Sequence, residues 1–394
     1  MLPLSGVKVI ELGQNIAGPY AGEILATLGA DVVKVERPGS GDDARYWGTM
    51  LTPDATHLFH SLNLNKRSIA LDLTDAAAVA WVKRYIGECD VVVQNLRPGV
   101  VEELGLDAAT LRAACPRLVY CSVGAFGNAG PMRMMPGYEP IVQAFAGIFS
   151  VNGGPDSPPS RVGLSILDMG SGLWAALGCI AALYQRERTG TGCVVETSLF
   201  ETALGWLATI LGGYKTSGVM PPRHRTGSPR IVVFQGFETT DGEIVVAAAN
   251  DRLFAKLAEA VGRPDWSQDP RFRTNALRVA NKDVLIPQVA ALMRQRSRAE
   301  WAARLEAAGI PCAPINDLAE VAENAQTEAV GMLLHEPRSG GTFVGLPLQF
   351  DGARPAIRRP SPTVGQHNAE IIREPMQVAL TPPALGIKQA NKIP

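Results

Sequence analysis

Short β-rich runs alternate with amphipathic helical stretches through the first 125 residues, and this alternation limits the fold more than any other feature. Val7-Lys8-Val9-Ile10-Glu11-Leu12 reads as a strand. Ala21, Ile24, Leu25 and Leu28 then follow the i, i+3, i+4, i+7 spacing of a helix with one buried face. Gly29 marks its stop, and Asp31-Val32-Val33-Lys34-Val35-Glu36 predicts the next strand. Ser68 to Leu73 predicts another, followed by Thr74 and Asp75 as N-cap candidates for a helix burying Val79, Val82 and Ile86. Val91-Val92-Val93 and Leu118 to Val123 extend the set. Strands joined by helical crossovers form parallel sheets covered on both faces, so the predicted class is α/β with a Rossmann-like large domain.

Further along, Ser165 to Arg188 predicts a long helix with Leu173, Leu177, Ile180 and Tyr184 at helical spacing, ended by Thr189-Gly190-Thr191-Gly192. Val194 to Leu199 follows as a strand. The Gly-, Pro- and Arg-rich residues 215–230 predict a linker or a loop facing the active site. Asp241-Gly242 joins two β-like runs as a hairpin and opens a smaller α/β domain, with helices near 251–262, 282–296 and 298–308. The expected domains are therefore 1–214, 215–329 and a return over 330–394.

Lys plus Arg number 37 and Asp plus Glu 38, for a formal net charge of −1. That balance lacks the clustered basic excess that binds a nucleic-acid backbone, so no nucleic-acid partner is expected. The longest apolar stretches, such as Trp174 to Leu183, are shorter than a spanning helix, so no membrane partner is expected either. Six scattered cysteines, mostly within apolar runs, read as reduced, buried thiols. With no charged and apolar leader before the first strand, the expected location is cytoplasmic.

Most familiar chemistry is unsupported by pattern. Gly124-x-x-Gly127-x-x-Gly130 and Gly170-Ser171-Gly172 lack the strand–GxGxxG–helix context of a dinucleotide site, and no Walker A sequence occurs. NAD and ATP are not expected. His57 and His60 share a spacing of three without a third ligand, no CxxC or HExxH is present, and no metal is expected. The serine-hydrolase elbow G-x-S-x-G is also missing. Asp168, in Leu164-Ser165-Ile166-Leu167-Asp168-Met169-Gly170-Ser171-Gly172, is the carboxylate of interest. Its position suits either an N-cap or a nucleophile kept ionised by helix N–H groups, with the adjacent glycines admitting a substrate. Pattern alone leaves both open.

Several segments in order resemble the family III CoA-transferases, the group that includes formyl-CoA transferase, carnitine CoA-transferase and the α-methylacyl-CoA racemases. They are Leu4 to Glu11, Ala17-Gly18-Pro19, Leu28 to Glu36, Asn65 to Leu73, Gln94 to Gly99, Asp168 to Gly172, Arg188 to Gly192 and Ala308 to Cys312. The resemblance implies a large Rossmann-like domain made from both chain ends, a small domain between them, and an interlocked homodimer. It implies that Asp168 is the catalytic aspartate, working through an aspartyl anhydride and an aspartyl-CoA thioester, with no tightly bound cofactor. Coenzyme A, as the acyl-CoA substrate, would contact Ile16, Ala17, Arg37, Leu71, Asp72, Leu73, Thr74, Asn95, Leu96, Arg97, Tyr138 and Glu139. A fixed guanidinium fork such as that of Arg37 suits phosphate.

The sequence also departs from the family pattern. Ile16 stands where formyl-CoA transferase has a polar residue, Glu103 where a CoA-contacting Arg occurs, and the small domain lacks that enzyme's glycine-rich loop. The racemase branch carries a His base where this chain has Tyr138. Phenols ionise near pH 10, which makes a poor α-proton base at neutral pH. The expected activity is transfer of CoA from succinyl-CoA to a small carboxylate, with Arg45 and the His224–Arg230 arginines as candidate clamps for a dicarboxylate. An α-methylacyl-CoA racemase and a non-catalytic CoA-binding protein are the alternatives.

Overall fold

Six of the β-rich runs pair into one all-parallel sheet: β1 (Lys8–Leu12), β2 (Asp31–Glu36), β3 (Arg67–Ala70), β4 (Val91–Gln94), β5 (Val119–Gly124) and β6 (Val194–Ser198), in the order β3-β2-β1-β4-β5-β6. The computed structural model describes residues 1–374. Val9 is the register hub, opposite Val32 on β2 and Val91 on β4. Ile10, Val33, Ile69, Val92 and Tyr120 pack into one buried cluster, as a sheet covered on both faces requires. The strand order reverses between β1 and β4. In open α/β sheets ligands bind at the carboxyl ends of the strands beside such a switch point.

Three helices matter for the site: α1 (Ala17–Thr27), α2 (Glu139–Phe145) and α3 (Ile166–Thr189). Gly190 ends α3 with φ of 74°, the left-handed geometry that glycine adopts without strain. Two sequence expectations change here. Strand β3 stops at Ala70, before the expected Leu73, because Leu71 to Thr74 turn toward the next helix. More tellingly, several of the large apolar residues of α3 face outward, although Leu167 and Leu183 are buried. Leu173, Trp174, Leu177 and Tyr184 are exposed, while Gly170, Ser171, Gly172, Ala175, Ala176, Cys179 and Ala182 form the buried face. Small residues let α3 approach α1 and β5 closely, and a Cβ on Gly172 would lie 2.7 Å from the Ala17 carbonyl oxygen.

By length and composition α3 is apolar enough to cross a membrane, contrary to the sequence reading, with 24 residues and a window of mean hydropathy 1.6. Half of that window is buried inside the protein.

Two units divide the described chain. The first comprises Met1–Ala146, Gly163–Leu211 and residues 330–374; the rest of the expected return, 375–394, lies outside the described residues. Within it the returning segment docks along β3, where Ala70 N donates to Asn368 Oδ1 at 2.8 Å and Gly365 N to Ser68 Oγ at 3.0 Å. The second comprises Gly212–Ala329 and also Gly147–Val162, an excursion the sequence did not separate. Arg223 ties that excursion in by donating to the Pro155 carbonyl at 3.3 Å. The second unit has a three-stranded antiparallel sheet of Phe234–Glu238, Glu243–Ala247 and Cys312–Pro314, with the expected hairpin at Asp241-Gly242. Helices Asp251–Ala260, Lys282–Met293 and Arg298–Ala307 bury Phe254, Leu285 and Trp301 with Phe237, Ile244 and Trp266 in one cluster.

Candidate active site

Beside the switch point lies a cavity of about 520 Å³, within the range of small-molecule sites. Its wall comes from the loop after β1 (Gln14 to Ala17), the segment after β4 (Asn95 to Val100), and Val123 to Ala125 at the end of β5. Met135 to Tyr138, Arg37, Asp43, Trp47, Leu199 and Asp168 complete it. Eight of the thirteen residues expected at the site therefore share one cavity: Ile16, Ala17, Arg37, Asn95, Leu96, Arg97, Tyr138 and Asp168.

The other five lie elsewhere. Leu71 and Leu73 pack on the core cluster, and Asp72 caps a turn by accepting from Thr74 N at 2.9 Å and Thr74 Oγ1 at 2.7 Å. Glu139 is buried beneath the start of α3.

Asp168 is not the N-cap of its helix. The N-cap is Ser165, which makes no side-chain cap, and Asp168 sits in the first turn. The orphan N–H groups there are taken by Glu139, whose carboxylate accepts from Leu167 N at 3.0 and 3.1 Å and from Asp168 N at 2.7 Å. Gln143 Nε2 adds a donor to Glu139 at 2.7 Å. The favourable end of the helix dipole is thus spent on Glu139, and a carboxyl at N1 of α2 caps a helix some thirty residues away in sequence.

The consequence for Asp168 is opposite to the one anticipated. Burial, reinforced by the neighbouring Glu139 charge and a hydrogen bond between the two carboxyls, pushes the Asp168 carboxyl up to about 7. Nor do the adjacent glycines open the way to a substrate. A Cβ on Gly170 would meet Thr202 Cγ2 at 2.8 Å, and one on Gly172 would meet α1, so both are close-packing positions. Asp168 itself is only part-buried and lies on the cavity wall.

Two guanidinium groups line the same cavity. Arg37 pairs with Asp43 and donates to the Gly41 carbonyl at 3.2 Å, while Arg97 is exposed. Of the other arginines considered as clamps, Arg230 is exposed, while Arg45 and Arg225 are occupied. Arg45 is fully buried, donates to Glu36 at 2.7 and 2.8 Å and lies 3.7 Å over the Phe59 ring. Arg225 makes a two-pronged pair with Glu243 at 2.7 Å for both contacts, inside the second unit. Sequence reasoning therefore missed the capping role of Glu139, for which only its adjacency to the cavity residue Tyr138 offered a cue.

A part-buried carboxyl whose pKa burial pushes up to about 7 and two arginines thus share one cavity wall, chemistry compatible with acyl transfer from a phosphate-bearing carrier. The chain belongs to CoA-transferase family III, whose family model matches residues 4–368. It is 35% identical over 377 residues to succinyl-CoA:glutarate CoA-transferase of Mus musculus, spanning 95% of this chain and 86% of that protein. It is 36% identical over 375 residues to acetyl-CoA:oxalate CoA-transferase of Acetobacter aceti, spanning 94% and 95% of the two chains. A crystal structure of a CaiB/BaiF family protein from Brucella suis superposes with a TM-score of 0.85 at 35% identity, covering 94% of this chain and 98% of that one. This protein is a CoA-transferase.

Proposed function

We propose that the protein moves CoA from succinyl-CoA to a small dicarboxylate, with Asp168 as the covalent nucleophile. The observation that carries this reading is the Asp168 carboxyl on the cavity wall, held beside Glu139 and paired with no cation among the described residues. Ionised Asp168 attacks the thioester carbonyl, forming a mixed anhydride and releasing CoA thiolate. The thiolate attacks the aspartyl carbonyl of the anhydride, giving an aspartyl-CoA thioester and free succinate. The acceptor carboxylate then displaces the thiolate to form its own anhydride with Asp168. Attack of the thiolate on the acceptor's carbonyl yields the new thioester and restores the carboxylate. Each step passes through an activated acyl group, which is what divides a difficult exchange into easier parts.

Arg37 and Arg97 offer the cavity its guanidinium groups for the phosphates of the carrier. Succinyl-CoA and glutarate are named for the mouse relative and oxalate for the Acetobacter one, so dicarboxylates are common to both. The reading is tested by a mass-spectrometric matrix of succinyl-CoA and acetyl-CoA against acceptors from oxalate to adipate. Formation of a dicarboxylyl-CoA together with succinate supports it. Deuterium entering the α-carbon of a branched acyl-CoA, without exchange onto any acceptor, contradicts it.

The outward apolar face of α3 supports an interlocked homodimer, and sedimentation should report twice the chain mass of 41.9 kDa. Six free cysteines support a reducing, cytoplasmic location.

A further inference from the structure

The loop from Gly13 to Pro19 supplies the cavity wall with Gln14, Asn15, Ile16 and Ala17, and its main chain is gripped from behind at four points. Lys34 Nζ donates to the Gly13 carbonyl at 2.8 Å, and Lys66 Nζ donates to the Pro19 carbonyl at 2.7 Å. Asn95 holds Gln14 by both its main-chain groups, accepting from N at 2.9 Å and donating to O at 3.0 Å. Both carboxylate oxygens of Asp42 accept from Asn15 N, at 2.9 and 3.1 Å, and Asn15 has a left-handed φ of 65°.

Behind the grips is one buried set of charges. Glu11 bridges the two lysines, with 2.8 Å from Oε1 to Lys34 Nζ and 2.8 Å from Oε2 to Lys66 Nζ. Lys34 also reaches Asp42 at 2.9 Å. Glu11, Lys34 and Lys66 are fully buried and Asp42 is 1% exposed. Two acids and two bases balance, so no uncompensated charge is left inside. An apolar quartet of similar volume serves stability as well as a buried ion set does, so stability alone does not account for these residues.

We propose that Asp42, anchored by the Lys34–Glu11–Lys66 set, is a positioning residue for the transfer reaction: it fixes Asn15, and with it the Gln14–Ala17 wall, in the cavity that Asp168 shares. The inference rests on the reading of Asp168 as nucleophile. A wall that moves leaves the thioester out of line with the attacking oxygen, and misplacement by about 1 Å costs on the order of a hundredfold in rate. Asp42 also caps the Asp43–Tyr46 turn by accepting from Ala44 N at 3.0 Å, but the Arg37 guanidinium itself lies outside the held loop, so the rate falls more than the affinity.

Two variants test this. Asp42→Asn removes the charge, and Lys34→Met combined with Asp42→Leu removes an opposite pair and leaves Glu11 with Lys66. Each is compared with wild type for the rate at which succinyl-CoA forms an adduct on Asp168, for kcat and KM, and for melting temperature. The expected result is that adduct formation and kcat fall by about tenfold to a hundredfold, with KM for succinyl-CoA within about threefold. The slow rate should persist in the neutral pair even where its melting temperature matches wild type. A folded variant with wild-type adduct rate overturns the inference. Wild type forming no adduct overturns the nucleophile reading instead, which separates the two failures.

Discussion

Two pairs of carboxyl groups, one fully buried and one with a member on the cavity wall, lie in the sheet-bearing unit, and they are treated in opposite ways. Burial alone pushes Glu11 and Asp42 upward, but Lys34, joined by Lys66 at Glu11, outweighs it and holds both below the usual carboxylate range. Burial also pushes Asp168 upward, and its nearest charge, Glu139, adds to the effect. Compensated carboxylates stay ionised and hold backbone in place. The uncompensated one is disfavoured in its ionised form, and the proposed acylation would relieve this by removing the charge.

The contrast is broken most severely by Asp168→Asn. An amide cannot form the anhydride, so turnover should fall by about a thousandfold or more while succinyl-CoA affinity stays near wild type in equilibrium binding. The same variant carries a stability signature. The folded protein holds the Asp168 proton more tightly than the unfolded chain, so wild-type stability falls as pH rises from the ordinary 3.8 toward about 7. Asp168→Asn removes that loss, and its melting temperature should exceed that of wild type above pH 7.

A smaller effect is expected from Glu139→Gln. Losing the repulsive charge lowers the Asp168 pKa, so the acid limb expected of kcat/KM should lie at lower pH in the variant than in wild type. The weaker helix cap should slow kcat by about tenfold through misplacement of Asp168. An acid limb that stays in place would show that Glu139 does not govern the nucleophile.

Smallest is Arg37→Ala, which should weaken binding of CoA esters by about tenfold, the loss of one charge-assisted contact. Acceptor KM should be unchanged. Asp43 already partners Arg37, which limits the loss.

The sheet was readable from sequence because its strands are apolar runs bounded by helix-stopping glycines, and Gly190 ends α3 as its residue type requires. Asp168 was readable as a residue of interest, since a carboxyl among apolar and small residues is unusual. What periodicity could not reveal was which face of α3 turns inward. Large apolar residues ordinarily mark the core, yet here close packing on Ala17 and Thr202 selects glycine and alanine and leaves Leu177 and Tyr184 outside. Arg45 was misread for a related reason: nothing local shows that Glu36, nine residues earlier, buries it. The Glu139 cap joins α2 to α3 across an intervening loop, and such pairings arise only when the chain is folded.

The central claim is that Asp168 becomes covalently acylated. Wild-type protein mixed with succinyl-CoA, trapped with hydroxylamine and digested should yield a hydroxamate on the peptide containing Asp168, and Asp168→Asn should yield none. An Asp168→Asn protein that transfers CoA at near wild-type rate, or a wild-type peptide left unmodified while transfer proceeds, would contradict it.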